Sequence, residues 1–172
     1  MKIYLIGYMG CGKSTLGKAI ASKRQLNFID FDTYLEEREG QSIKSLFQEK
    51  GEIYFRKQES IYLSELLGNT ENAIVSLGGG TPCYGDAMQR IKEAPGTSVY
   101  INVPVAELTR RLWKERNHRP VLKHQDTPEK LEEFVRKHLF ERSYYYHQAD
   151  HILKTEGQTP EESIQALEAL LF

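Results

Sequence analysis

One segment near the start of the chain has the residue types and spacing of a phosphate-binding loop. Residues 7–14, Gly-Tyr-Met-Gly-Cys-Gly-Lys-Ser, match the pattern G-x-x-x-x-G-K-[ST], for which a chance match anywhere in the chain is below about 1%. Glycines let backbone N–H groups approach phosphate oxygens, and the helix expected next presents its unpaired N–H groups to the same anion. Lys13 would reach the β- and γ-phosphates, Ser14 would ligate Mg²⁺, and Thr15 can donate to the α-phosphate. The loop therefore predicts binding of a nucleoside triphosphate.

The rest of the sequence narrows the choice of nucleotide and of partner. Guanine-specific switch proteins read their base with an N/T-K-x-D motif, and the chain contains none, which favours ATP. The formal net charge is −1, so the chain lacks the broad basic field that sequence-independent nucleic-acid binding requires, and we expect no nucleic-acid partner. The phosphoryl acceptor is open at this point between water, a nucleotide and another small molecule.

Two carboxylates, Asp30 and Asp32, form a second candidate group at the end of the predicted second strand. Residues two apart on a strand share a face, so both side chains are expected to point the same way. They would lie at the edge where parallel sheets bind ligands. Asp32 would orient or deprotonate an acceptor hydroxyl, and Asp30 would hold Mg²⁺ through water. Asp is also a favoured N-cap, so the alternative is that Asp32 only caps the next helix.

Two arginines interrupt apolar stripes of predicted helices. The stripes consist of Ile53, Arg56, Ser60, Leu63 and Leu67, and of Leu131, Val135, His138, Arg142 and Tyr145. An inward guanidinium stays charged, so it must meet an anion or carbonyl groups. Glu59, three residues after Arg56, is placed to pair with it. The two arginines therefore form either buried ion pairs or a bidentate clamp on a carboxylate of the substrate.

Two further segments have compositions suited to binding a phosphorylated ligand. Residues 78–80 are three glycines after the predicted third strand, which permit close approach of a ligand to the backbone, although a plain turn would also use glycine. Residues 110–125 carry six Lys and Arg side chains against one acid, Glu115. This segment is either a solvated basic loop or a lid that brings positive charge onto a polyphosphate. We expect a mobile lid at about 112–125 and a substrate-binding helical region at about 32–62.

Alternating strand and helix patterns must position these residues. Apolar and β-branched runs predict strands at residues 2–6, 27–31, 73–77, 98–103 and 149–153, with helical stretches between them. Thr127-Pro128 and Thr159-Pro160 mark two helix starts, because each places a capping hydroxyl before a proline. Such alternation predicts a parallel sheet with crossover helices, that is, a three-layer α/β/α domain.

Length and composition restrict the class of protein. The 172 residues fit one domain spanning 1–172, and 40% apolar with 27% charged residues is ordinary for a folded protein. No stretch approaches the roughly 20 apolar residues that span a bilayer, so no membrane partner is expected. Two cysteines, Cys11 and Cys83, are too few for a disulfide framework, and we expect a cytoplasmic location. Both follow predicted strand ends, so they are either reactive thiols beside the site or inert buried ones.

Together these residues resemble the shikimate kinase family over essentially the whole chain. The matching segments are residues 7–15, 28–32, 51–56 with Glu59, 77–80, 119–122 and Arg142. The resemblance implies a P-loop fold of the nucleoside-monophosphate-kinase type, with five parallel strands in the order 2-3-1-4-5. It also implies transfer of the γ-phosphoryl group of ATP, with Mg²⁺, to the 3-hydroxyl of shikimate. The products would be shikimate 3-phosphate and ADP, on the pathway to chorismate and the aromatic amino acids. A monomer is expected.

The resemblance also assigns roles by position in this sequence. The catalytic residues would be Lys13, Asp32 and Arg119, with Arg119 closing from the lid onto the phosphates. The residues on the acceptor would be Asp32, Arg56, Gly79 and Arg142, and those on Mg²⁺ would be Ser14 directly and Asp30 through water. The residues on ATP would be Gly10, Cys11, Gly12, Lys13, Ser14, Thr15, Arg119 and Gln158. Gln158 would lie near the adenine, and either Arg110 or Arg111 would stack on it.

Three other functions share parts of this pattern. Another small-molecule kinase, such as gluconate kinase, has the same phosphate loop. A nucleoside monophosphate kinase is disfavoured because Asp32 and the glycine triplet suit a polyol better than a base. A noncatalytic ATP-dependent regulatory module would not need Asp32, Arg56 and Arg142 together.

Overall fold

The sheet that carries the site is five-stranded and all-parallel. A computed structural model describes residues 1–172. The strands are β1 (Lys2–Ile6), β2 (Asn27–Asp30), β3 (Ala73–Ser76), β4 (Thr97–Asn102) and β5 (His151–Lys154). They pair in the order β2-β3-β1-β4-β5, which confirms the predicted order 2-3-1-4-5. The predicted α/β class is confirmed as well.

Seven α-helices surround this sheet. They are α1 (Lys13–Arg24), α2 (Phe31–Glu39), α3 (Ile43–Gly68), α4 (Ala87–Glu93), α5 (Val105–Glu115), α6 (Pro128–Tyr146) and α7 (Pro160–Leu171). Right-handed crossovers place α1 on one face and the helices between later strands on the other, because the chain reverses direction across the sheet after β2. The contacts agree, since α1 packs with α7 and α5 packs with α6. None of these helices combines the length and the apolar character needed to cross a membrane.

β1 lies at the centre of the core because neighbours cover it on both edges and both faces. All five of its residues are buried, and the side chains of Ile3, Leu5 and Ile6 are almost fully removed from solvent. This matches the continuous apolar run that predicted it. The strand then turns sharply into the phosphate loop, so a fully buried strand supports that loop.

The second strand ends one residue earlier than predicted, which corrects the geometry expected for the two acids. Asp30 is the N-cap of α2, and its Oδ1 accepts from the backbone N–H groups of Asp32 (3.1 Å) and Thr33 (3.3 Å). The strong N-cap preference of Asp ends the strand here. Asp32 therefore lies in the first turn of a helix, and the predictions that it shares a strand face with Asp30 and that it caps the helix are both wrong.

The apolar stripe predicted around Arg56 is also partly wrong. Gly51 adopts φ 82° and ψ 173°, which breaks α3 into two helical segments. The buried residues after the break are Phe55, Glu59, Leu63 and Leu66, so the inward face is not the predicted one and Ile53 is 89% exposed. The stripe on α6 is borne out at its start, where Leu131 and Val135 are fully buried.

The predicted helix starts are confirmed, and two strand starts move, since β4 begins at Thr97 rather than at residue 98. Thr127 accepts from the backbone N–H of Lys130, and Thr159 forms a capping box with Glu162. β5 begins at His151 rather than at residue 149, because the Asp150 carboxylate binds the N–H (2.8 Å) and hydroxyl (2.7 Å) of Ser98. The segment expected to form a lid contains the end of α5 and the 3₁₀ turns Arg116–His118 and Pro120–Leu122. Its mobility stays a prediction.

Candidate active site

A cavity of about 560 Å³ opens where the carboxyl ends of β1, β2 and β3 meet. This is the edge at which open parallel sheets bind ligands. The cavity is lined by Met9, Gly10, Gly12, Lys13, Ser14, Thr15, Asp30, Asp32, Ser76, Leu77, Gly78, Gly79, Arg111, Lys114, Glu115 and Arg119. Part of the predicted phosphate loop, both acids, two glycines of the triplet and the lid arginine are therefore brought together around one space, whereas Arg56 and Arg142 do not line it.

The phosphate loop is held open by glycine conformations and by its own lysine. Gly10 (φ 76°) and Gly12 (φ 97°) occupy the left-handed region, where a side chain would be strained. Gly12 is the N-cap of α1 and offers no side chain to the N–H groups that begin this helix. The buried Lys13 ammonium donates to the carbonyl oxygens of Gly7 (2.7 Å) and Tyr8 (3.1 Å). The loop is thus a preformed concavity for an anion, with a cation at its base.

Three oxygen-bearing side chains form a cluster beside the loop. Ser14 Oγ donates to Asp30 Oδ2 at 2.8 Å and lies 3.2 Å from Ser76 Oγ. No group of three His, Cys, Asp or Glu side chains forms a metal cage in the chain. Mg²⁺ prefers a few hard oxygen ligands together with phosphate oxygens and waters, so one hydroxyl and one carboxylate fit it. Sequence reasoning missed Ser76, which is marked only by its place at the end of β3.

Asp32 has the most perturbed carboxyl group of the cavity. Asp32 as a whole is exposed at the surface of the cavity, but desolvation of its carboxyl group and the neighbouring Asp30 carboxylate raise its pKa to about 6, while the Lys13 charge offsets part of the rise. Asp32 Oδ1 would lie only 2.7 Å from a Cβ at position 78, so Gly78 leaves the space that this carboxylate occupies. A carboxyl group whose pKa lies this close to neutral is a candidate general base.

Arg56 is fixed by a buried network. Its Nη1 donates to Glu59 Oε1 at 2.9 Å, and Glu59 Oε2 accepts from the Thr81 hydroxyl at 2.8 Å. Its Cζ lies 3.7 Å from the ring centroid of Tyr84. Arg56 Nε is buried without a hydrogen-bond partner. The expected pair with Glu59 is confirmed, whereas Thr81 and Tyr84 were missed because only the fold brings them to this helix.

Arg142 reaches the same glycines from the other side. A Cβ at Gly79 would lie 3.2 Å from Arg142 Nη1, and a Cβ at Gly80 would lie 3.3 Å from its Nη2 and 3.0 Å from both Nη atoms of Arg56. Two guanidinium groups therefore converge over Gly80. Unlike Arg56, Arg142 has no ion pair with any carboxylate of the chain. Of the two buried ion pairs considered as an alternative, only the Arg56–Glu59 pair exists.

The basic segment contributes two arginines to the cavity. Arg119 donates from Nε (3.1 Å) and Nη2 (2.9 Å) to Glu115 Oε2. Arg111 donates to the carbonyl oxygen of Gly10 at 3.1 Å and pairs with Glu107 at 2.6 Å. Arg110 points away, with 70% of its side chain exposed. Of the two arginines considered for the adenine, the structure brings Arg111 to the cavity.

Gln158 and the two cysteines do not line the cavity. Gln158 accepts from the Ser163 hydroxyl at 3.0 Å and does not line the cavity, so its place near adenine stays a prediction. Cys11 is buried and lies 3.7 Å from Lys13 Nζ. Burial raises the pKa of the Cys83 thiol to about 11, which keeps it protonated at neutral pH and favours the inert interpretation.

The parallel sheet, the glycine loop leading into α1 and the hydroxyl–carboxylate cluster define a P-loop nucleotide-binding protein with two guanidinium groups beside the loop. A family model described as shikimate kinase matches residues 9–171. The chain belongs to the shikimate kinase family.

Individual relatives agree with this assignment. The shikimate kinase of Flavobacterium johnsoniae is 43% identical over 164 residues, which cover 95% of each chain. A crystal structure of shikimate kinase from Bacteroides thetaiotaomicron is similar with a TM-score of 0.89 and 38% identity, covering 99% of this chain and 97% of that one. A shikimate kinase from Acinetobacter baumannii, solved in complex with shikimate, gives a TM-score of 0.84 and 29% identity, covering 98% and 91% of the two chains. The predicted family is confirmed.

Proposed function

We propose that the protein transfers the γ-phosphoryl group of ATP to the 3-hydroxyl of shikimate, giving shikimate 3-phosphate and ADP. The observation that carries this proposal is the convergence of Arg56 and Arg142 over Gly80, one or two residues from the glycines that contact Asp32 and the phosphate loop. Shikimate has one carboxylate and several hydroxyls, which match two guanidinium groups and one carboxyl group. Family membership supports the same reaction and its place in aromatic amino acid biosynthesis.

On the nucleotide side, we assign the triphosphate to the loop and to the start of α1. The backbone N–H groups of residues 10–15 would bind the phosphates, and Lys13 would leave the Gly7 and Tyr8 carbonyls to reach the β- and γ-phosphates. Arg111 lines the cavity from α5 and is our candidate for the adenine contact. Mg²⁺ would be held by Ser14 directly and by Asp30 through water, and it supplies charge neutralisation on the phosphates.

On the acceptor side, the two arginines would bind the carboxylate while Asp32 binds the hydroxyls. A planar guanidinium binds a carboxylate through two parallel hydrogen bonds, which fixes the orientation of the ring. The Gly79 backbone lies at the base of this space, and a Cβ at Gly79 would come 3.2 Å from Arg142. Asp32, whose pKa is raised to about 6, would accept the hydroxyl proton.

In the transfer step, one oxygen–phosphorus bond forms and another breaks. The 3-oxygen of shikimate attacks the γ-phosphorus, the bond from that phosphorus to the bridging oxygen of ADP breaks, and the hydroxyl proton passes to Asp32. Lys13 and Arg119 stabilise the charge that spreads over the transferring group. Arg119 would exchange its contact with Glu115 for the phosphates, and this movement would exclude water from the cavity.

A coupled ADP-release assay with shikimate, gluconate, AMP or no acceptor tests the proposed function. We expect ADP release to depend on shikimate and to stay at background with the other compounds. Release with gluconate or AMP instead would assign the protein to another kinase. The regulatory-module alternative predicts nucleotide binding without acceptor-dependent release, which calorimetry with ATP would detect.

For location and oligomeric state, we propose a cytoplasmic monomer. Both cysteines are free, which fits a reducing cytoplasm. A monomer is the expectation for the family, and light scattering on the purified protein tests it.

A further inference from the structure

Behind the phosphate loop, two side chains that the proposed chemistry does not use contact each other. The Tyr8 hydroxyl lies 2.9 Å from His138 Nδ1, although 130 residues separate them. The two rings meet edge to face, with centroids 5.3 Å apart and an interplanar angle of 89°. Tyr8 is 1% exposed, so its hydroxyl has little access to water. Neither residue lines the main cavity.

The proton in this contact belongs to the tyrosine. Burial raises the pKa of Tyr8 and keeps it a phenol. Burial and the nearby Arg142 charge lower the pKa of His138 to about 4, so its ring is neutral at physiological pH. Because a buried phenol needs an acceptor for its hydrogen, we assign the Tyr8 hydroxyl as the donor to Nδ1, which places the histidine hydrogen on Nε2. Both members of the hydrogen bond are neutral and mutually satisfied.

This pair connects the two halves of the site. The Tyr8 carbonyl oxygen accepts from Lys13 Nζ at 3.1 Å, on the nucleotide side. The Tyr8 ring lies 5.9 Å from Arg142 Cζ, on the acceptor side. His138 is one helical turn before Arg142 on α6, so it lies on the same face of that helix. One side chain of the loop thus touches the helix that carries the acceptor arginine at two points.

We propose that Tyr8 and His138 are positioning residues that hold Arg142 over Gly79 and Gly80, a role that rests on the proposed function. Arg56 is fixed by Glu59 and Tyr84. Arg142 has no carboxylate partner, and the groups beside it are the Tyr8 ring and the Tyr146 hydroxyl, which donates to the Gly79 carbonyl oxygen. A ring face attracts a guanidinium within about 6 Å, and the hydrogen bond to His138 fixes the orientation of that ring. Losing the bond should therefore loosen Arg142 and weaken binding of the shikimate carboxylate.

Tyr8→Phe and His138→Phe test the hydrogen bond while retaining aromatic rings. We expect each to raise the KM for shikimate about fivefold, which corresponds to about 1 kcal/mol, with the KM for ATP unchanged within about twofold. Each single variant leaves one buried polar group unpaired. The double variant leaves none, so its KM for shikimate should be no higher than that of the worse single variant. His138→Asn, whose Oδ1 can accept from Tyr8, should recover most of the wild-type KM.

Phe134→Leu is the matched control for packing, because Phe134 contacts the His138 ring edge to face (5.3 Å, 60°) without hydrogen-bonding to it. We expect a lower thermal midpoint of this variant with an unchanged KM for shikimate. The proposal is overturned if Tyr8→Phe leaves the KM for shikimate unchanged, if the KM for ATP rises equally, or if His138→Asn behaves like His138→Phe. Absence of shikimate-dependent ADP release by the wild-type protein would instead refute the proposed function itself. For any variant whose turnover is too slow to assay, calorimetry measures the binding of shikimate alone.

Discussion

The two acceptor arginines should respond differently to the same substitution, because only one of them neutralises a buried acid. The Arg56 side chain is 18% exposed and that of its partner Glu59 is 6% exposed. Arg142 has no such partner. Arg56→Met therefore leaves a buried carboxylate without its cation, whereas Arg142→Met leaves no charge behind. Both substitutions remove a guanidinium from the shikimate carboxylate.

The magnitudes follow from this difference. Removing one partner of a buried ion pair costs about 3–5 kcal/mol, and the retained Thr81 hydrogen bond places Glu59 at the lower end, about 3 kcal/mol. For a domain of this size that lowers the thermal midpoint by roughly 6–12 °C. Arg142→Met should shift it by less than about 2 °C. Each variant should raise the KM for shikimate about 100-fold, because a charged bidentate contact contributes about 3 kcal/mol.

Thermal unfolding and the coupled ADP-release assay measure the two effects separately. Adding Glu59→Gln to Arg56→Met should restore most of the lost thermal stability without restoring the KM for shikimate, since a neutral amide at position 59 needs no cation. The reasoning is refuted if Arg142→Met destabilises the protein as strongly as Arg56→Met. It is also refuted if the KM for ATP rises with that for shikimate in both variants.

Three further predictions concern the nucleotide side and proton transfer. The kcat/KM for shikimate should fall about tenfold per pH unit below about pH 6, because Asp32 becomes protonated there and only its carboxylate accepts the hydroxyl proton. A pH profile without this fall would contradict the role of Asp32. Lys13→Ala should abolish turnover while calorimetry still detects shikimate binding, and loss of both would show that the lysine mainly supports the fold. Glu115→Gln removes the charge that holds Arg119 and should lower the KM for ATP a few-fold, whereas an unchanged KM would mean that this contact does not compete with the phosphates.

The sequence predicts the elements whose signal is local. β1 is a continuous apolar run and the phosphate loop is a fixed pattern of glycines, so both are predicted from the residues alone, whereas the strand order comes from the resemblance to the family. The errors also have local causes. Asp30 stops β2 because its side chain caps α2, and α3 buries the face of Phe55, Glu59 and Leu63, so that Ile53 reaches solvent. The sequence permits Asp30 both as a strand residue and as a helix cap, and it permits more than one inward face for this helix.

The parts that escaped prediction are contacts between distant segments. Glu59 was paired with Arg56 because they are neighbours on one helix, while Thr81 on the other oxygen of Glu59 comes from a loop after β3. The Tyr8–His138 contact is similarly invisible, because no periodicity links a glycine loop to the face of α6. Residue type identifies a candidate functional residue in the sequence. The second residue that holds it in place is determined by tertiary packing, which no local pattern shows.

Each oxygen of the Asp30 carboxyl group accepts hydrogen bonds from a different part of the site. Oδ1 starts the helix that carries Asp32, and Oδ2 accepts from Ser14. An engineer who wishes to alter metal preference at this position would therefore also disturb the anchoring of the proton acceptor, and a designer who changes how α2 begins would alter the cation environment. Selection for a new acceptor will accordingly be easier at positions that serve a single purpose, such as Arg142, than at this shared one.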